Sequence, residues 1–181
     1  MILGISTGGE LTSLLKNSDL DCIAIPSGLQ PRAAVSFSFI PLLYILRKLN
    51  VVDSRLIQDL ETVPDAIKSS REIYCINEES NPTYRLAKKI YGTLPIIYGE
   101  CDSTSTIALR WKGQLCENAK MLAYHNEIPE MNHNEIVGWQ ENAKIMNQLS
   151  VLWISDRLTH PRNKLRIDSS KNILNDLPCF Q

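Results

Sequence analysis

Glu117 and His133 are the residues of this chain whose types and settings best suit moving a proton. Glu117 opens the tetrapeptide Glu117-Asn118-Ala119-Lys120, and His133 lies in Pro129-Glu130-Met131-Asn132-His133-Asn134-Glu135. The sequence predicts a helix over 103–118, which puts Glu117 near its C-terminal end. Backbone carbonyls concentrate partial negative charge there, which disfavours a carboxylate and makes it a better proton acceptor. Such a base can take a proton from carbon. His133 has the opposite setting. Asn132 and Glu135 are spaced as a capping box, so His133 is expected to open a helix over 132–139. A helix N-terminus favours neutral imidazole, which can exchange protons with a hydroxyl or polarise an oxygen. Each residue also has a plainer reading: a solvated helix-end glutamate beside Lys120, and a surface histidine next to a cap.

Two further segments invite an anion. Arg32 follows Pro31 just past the Ser27-Gly28 turn, where it could hold a phosphate or a developing enediolate at the mouth of a parallel sheet. A surface arginine ahead of an apolar helix is its plainer reading. Ser6-Thr7-Gly8-Gly9 stands between a strand and a helix and could cradle a phosphate. A tight turn explains the glycines equally well, and Glu10 would repel an anion. His125, His133 and His160 lack ligand spacing and no His-Glu-x-x-His is present, so neither a metal site nor a cofactor is expected. Glu-Asn-Ala-Lys recurs at 141–144, but its neighbours do not match the first copy.

The elements that must position these residues alternate between strand and helix. Residues 1–5 read as a buried strand, 10–16 as a short helix and 21–25 as a second strand, with Gly and Pro turns between. This is the grammar of a parallel sheet. A strongly apolar helix over 33–49 is expected to kink at Pro41. Asp53 is a candidate N-cap for a polar helix reaching towards Arg71, which Pro64 is expected to break. Asn81 and Pro82 announce another helix to Tyr91. A second series follows: strands at 94–98, 121–125 and 151–154, with helices over 103–118, 132–139 and 161–174. Ile107, Ala108, Trp111 and Leu115 fall on one stripe of the first of these helices. The two sheets are expected to hold two and about three strands, and so to present open edges.

The whole chain sets the bounds. Its 181 residues suggest one domain, or parts of two, at 44% hydrophobic and 22% charged residues. A formal net charge of -1 offers no basic footprint for nucleic acid. The longest apolar run, 39–46, is far below the roughly 20 residues of a membrane span. Neither a membrane partner nor a leader peptide is expected. Cys22, Cys75, Cys101, Cys116 and Cys179 are odd in number and form no Cys-x-x-Cys, which points to thiols in a reducing cytoplasm rather than disulfides or zinc.

Taken together, the segments 5–11, 25–34, 109–114 with 117–120, 129–135 and 160–162 resemble the bifunctional phosphoglucose/phosphomannose isomerases, which are built from two sugar isomerase (SIS) domains. The Pro-Arg-Ala-Ala, Glu-Asn-Ala-Lys and Asn-His-Asn-Glu runs, in that order, carry the resemblance. It implies an α/β fold of the SIS, flavodoxin-like type. Residues 1–50 would be the end of a first SIS domain, 51–93 a helical connection and 94–181 a second, incomplete SIS domain. It implies metal-free aldose–ketose isomerisation of a hexose 6-phosphate through a cis-enediol. Glu117 matches the family's general base, His133 the histidine that assists ring opening, and Arg32 an arginine near the enediolate. The histidine is usually offered across a homodimer interface, so Glu117 and His133 need not meet within one chain. The family's Ser/Thr-rich phosphate loops are expected upstream of Met1. A catalytic lysine is expected on the family's last helix, beyond the segment matched here, and Lys171 is not at a matching position. This chain alone is therefore expected to be inactive. The alternative is a non-catalytic SIS-derived module that binds sugar phosphate or supports dimerisation.

Overall fold

The computed structural model describes residues 2–141, 143–175, 177–178 and 180–181. Met1 of the first expected strand, Asn142 of the second Glu-Asn-Ala-Lys copy, Asp176 and Cys179 lie outside the described residues. The chain divides into two compact units, Met1–Cys75 and Ile76–Gln181.

In the first unit, β1 (Leu3–Ser6) and β2 (Asp21–Ala24) pair in parallel, Leu3 opposite Asp21 and Ser6 opposite Ala24. Helix α1 (Gly9–Asn17) makes the crossover. Gly8 and Gly9 have φ of 133° and 71°, so the strand-to-helix turn uses backbone that side-chain-bearing residues rarely adopt. Leu15 of α1 is buried, and a Cβ on Gly4 would meet its Cδ1 at 2.2 Å, so the helix seats directly on β1. Helix α2 (Val35–Lys48) contains Pro41, and α3 (Ser54–Tyr74) contains Pro64. Asp53 caps α3 as expected, accepting from the Arg55 N–H at 2.8 Å. The expected break at Pro64 does not occur. A proline removes one amide donor from the helical ladder, and α3 continues for ten residues beyond it.

The second unit holds a parallel three-stranded sheet in the order β4 (Tyr124–Ile128), β3 (Leu94–Glu100), β5 (Leu149–Ile154). Central β3 is an apolar run, as a strand covered on both faces must be. Alternation sends Ile97 and Tyr98 to opposite faces, where both are fully buried. Ile97 packs with Ile90 and Leu86 of α4 (Pro82–Ile90) and with Ala108 and Trp111 of α5 (Ser105–Gln114). Tyr98 packs with Met131 of α6 (Glu130–Asn134), Met146 of α7 (Ala143–Met146), and Ile167 and Leu174 of α8 (Pro161–Leu174). This is the α/β layering expected, with helices on both faces of the sheet. Asn81 caps α4, accepting from the N–H groups of Thr83 and Tyr84.

Three expectations need correction here. Strand β4 runs over Tyr124–Ile128 rather than 121–125, because Met121 is spent packing against the Ile97 core instead of pairing. Ile107 is 56% exposed and leaves the stripe formed by Ala108, Trp111 and Leu115. The helix expected over 132–139 is α6 followed by a 3₁₀ turn, Ile136–Gln140.

Candidate active site

Helix α5 starts at the carboxyl end of β3 and runs back along the sheet. Gly99 makes the close packing possible: a Cβ there would meet Thr104 O at 2.6 Å and Ser105 N at 2.7 Å. The Thr104 hydroxyl accepts from the Glu100 N–H and donates to Ile154 O, each at 2.8 Å, which joins β3, β5 and the start of α5. At its far end α5 widens into a π turn, Leu115–Ala119. Such turns are rare and recur at functional sites. Glu117 is exposed on this turn. Its expected place near a helix C-terminus is therefore found. The turn is closed by the Lys120 N–H on Leu115 O, with Asn118 Nδ2 donating to Gln114 Oε1 at 2.5 Å.

His133 is exposed too, but at the other end of β4. The capping box expected around it does not form, and His133 lies in the last turn of α6, not the first. The physical reason is competition from tertiary partners. Asn132 Nδ2 donates to the buried Ser170 hydroxyl at 2.7 Å. Glu135 accepts from the Tyr98 hydroxyl and, at 2.6 Å, from Asn126 Nδ2. Trp139 Nε1 donates to the Tyr98 oxygen at 3.3 Å. The helix-end argument for neutral imidazole therefore falls. Burial and the bond to Glu135 together push the Tyr98 phenol well above its ordinary range.

Glu117 precedes β4 and His133 follows it. They therefore lie beyond opposite ends of β4, whose five residues rise about 16 Å. Arg32 belongs to the other unit. It is half-buried in a 3₁₀ turn, Pro31–Ala33, after the carboxyl end of β2 and beyond Gly28 at φ 87°.

Glu100 and the Tyr98–Glu135–Asn126 network are two features that the sequence motifs do not mark. Glu100 is 5% exposed at the carboxyl end of β3, where it accepts from the His160 N–H at 3.0 Å and Asn163 Nδ2 at 2.7 Å. Burial pushes its carboxyl up, but these donors, Asn163 foremost, outweigh burial and hold it below the ordinary carboxylate range. A carboxylate ending a long apolar run was the available signal. Among the described residues, no group of three or more His, Cys, Asp or Glu stands where it could hold a metal. None of their helices is long and apolar enough to cross a membrane.

Residues 79–178 match the family model described as the bacterial phospho-glucose isomerase C-terminal SIS domain. The chain is 43% identical over 175 residues to a bifunctional phosphoglucose/phosphomannose isomerase of Caldicellulosiruptor bescii, covering 96% of this chain and 51% of that protein. It is 34% identical to one of Aquifex aeolicus, covering 96% of this chain and 50% of the relative. The chain thus spans about half the length of these curated relatives. A solved structure described as that of a phosphosugar isomerase from Clostridium difficile 630 matches with a TM-score of 0.55 at 17% identity, covering 94% of this chain and 55% of that one. That likeness speaks for the fold.

Proposed function

Because the chain belongs to the bifunctional phosphoglucose/phosphomannose isomerase family, we propose that it carries the proton-transfer groups of an aldose–ketose isomerisation of hexose 6-phosphates. One observation supports this most. In both motifs the neighbouring polar side chains are tied into the local structure, Asn118 to Gln114, Lys120 to the Glu117 carbonyl, Asn132 to Ser170, Asn134 to Glu130 and Glu135 to Asn126, and Glu117 and His133 are themselves exposed.

His133 exchanges protons with the sugar's ring oxygen and hydroxyl, opening the ring. Glu117 takes the proton from C2 of the open aldose while the C1 oxygen gains one, which gives the cis-enediol. Glu117 then returns its proton to C1, and the C2 hydroxyl loses one to leave the ketose. Arg32 stabilises the negative charge that builds on the enediol oxygens. Glu117 and His133 beyond opposite ends of β4 favour an arrangement in which a homodimer pairs the Glu117 of one protomer with the partner's histidine. No metal takes part, and a cytoplasmic setting fits the free thiols.

The residues expected to grip the phosphate, and the lysine expected as a further acid/base group, are not among the matching segments. Enzymes use remote phosphate binding to hold the reacting carbons in place. Residues 1–181 alone therefore turn over negligibly. Fructose 6-phosphate formed from glucose 6-phosphate by the purified chain, and abolished by Glu117→Gln, would overturn that expectation while supporting the reaction itself.

A further inference from the structure

We propose that Lys120 is a positioning residue for Glu117, which rests on the reading of Glu117 as the base. The lysine of the Glu-Asn-Ala-Lys run adopts the left-handed conformation, φ 56° and ψ 30°. Helix ends that need this conformation usually take glycine or asparagine, because a Cβ strains it. A lysine there gives up backbone comfort, and its side chain shows what it contributes. Nζ reaches back three residues and donates to the Glu117 carbonyl oxygen at 2.6 Å. The last carbonyls of a helix have no intrahelical partner, and a π turn spaces its backbone bonds more widely still. Lys120 thus supplies a side-chain donor to the very peptide that follows the Glu117 Cα. Its own N–H and that of Met121, at 3.2 Å, both donate to Leu115 O. One residue therefore closes the turn through its backbone and fixes its middle through its side chain. The direction in which the Glu117 carboxylate points depends on both.

A mere helix cap and a positioning residue differ in what glycine does. Glycine suits the left-handed backbone better than lysine and would serve as a cap, but it cannot hold the Glu117 carbonyl. The test uses residues 1–181 with carboxyl-13C glutamate, as wild type and as Lys120→Gly, Lys120→Met and Lys120→Arg. The Glu117 signal is identified by its loss in Glu117→Gln. The expected result is a Glu117 carboxyl resonance that moves in the Gly and Met variants and returns to the wild-type position in the Arg variant. Amide exchange at Met121 should quicken about tenfold in Gly and Met and stay at the wild-type rate in Arg. The Gly variant should unfold at the wild-type temperature or above it. Equal exchange and an unmoved Glu117 signal in every variant would overturn the proposal. So would faster exchange with an unmoved Glu117 signal, since Lys120 would then only cap. No turnover enters this comparison, so a failure of the isomerase reading shows separately, in the rate assays.

Discussion

Gly99→Ala should destabilise the second unit while leaving its fold recognisable. The added Cβ would stand 2.6 Å from Thr104 O and 2.7 Å from both Ser105 N and Ser105 Cα, all backbone atoms that no rotamer change can move. Reaching ordinary contact at 3.4 Å requires α5 to lift from β3 by about 0.8 Å. A gap of that size forfeits a quarter to a half of each contact across the interface, and it strains the Thr104 bonds to Glu100 and Ile154. Overpacking of this kind costs about 3 kcal/mol, and the lost freedom of the unfolded glycine returns up to about 1 kcal/mol, so the net loss is about 2 kcal/mol. Tryptophan fluorescence in urea reports it cleanly, because Trp111, Trp139 and Trp153 all lie in the unit Ile76–Gln181. With a slope near 2 kcal/mol/M, the midpoint should fall by about 1 M at unchanged slope. A midpoint within about 0.2 M of wild type would refute the reasoning, since the helix would then not depend on contact at this glycine.

Two further changes test the supports of the site. Thr104→Val leaves the buried Glu100 N–H and the part-buried Ile154 carbonyl without their shared partner, and should lower stability by about 3 kcal/mol in the same urea experiment; a loss below about 1 kcal/mol would mean water replaces the hydroxyl. Tyr98 is held neutral by burial and by Glu135, with its folded pKa raised above the ordinary 10.0. Its contribution is fully present below pH 10 and is lost above it, where the unfolded tyrosine releases a proton that the folded one keeps. Stability should therefore fall by about 1.4 kcal/mol per pH unit above that value from this group alone, and Tyr98→Phe should lack that component. Equal slopes in the two proteins between about pH 9 and 11 would show that Tyr98 ionises alike in both states.

How far the sequence could be read depended on whether local signals decided each element. Helix α8 was legible from its Pro161 start, and α3 and α4 from Asp53 and Asn81, because a cap acts over two or three residues. The alternation of strand and helix foretold parallel sheets, and β3 announced itself as an apolar run. Apart from the helix that continues through Pro64 and the exposed Ile107, the failures lie where distant partners win. Asn132 and Glu135 have capping-box spacing, yet Ser170, Tyr98 and Asn126 claim their side chains. Met121 looked like a strand residue and is core packing beneath a π turn that no local pattern encodes. Glu100 looked like the end of a strand, and only the folded chain brings α8 to it, 60 residues on. For the site, Glu117 and His133 were visible as types and as motifs. The strand between them was legible too, displaced by three residues, but not the π turn that carries Glu117 or the partners that hold Asn132 and Glu135 beside His133.

The most direct test replaces the matching segment of the Caldicellulosiruptor bescii relative with residues 1–181 of this chain and measures fructose 6-phosphate formed from glucose 6-phosphate. The chimera should turn over, and Glu117→Gln should lower its kcat by at least about 100-fold with the protein still folded. Turnover that survives Glu117→Gln within a few-fold, or a folded chimera with no turnover at all, would contradict the assignment of the proton transfer to Glu117.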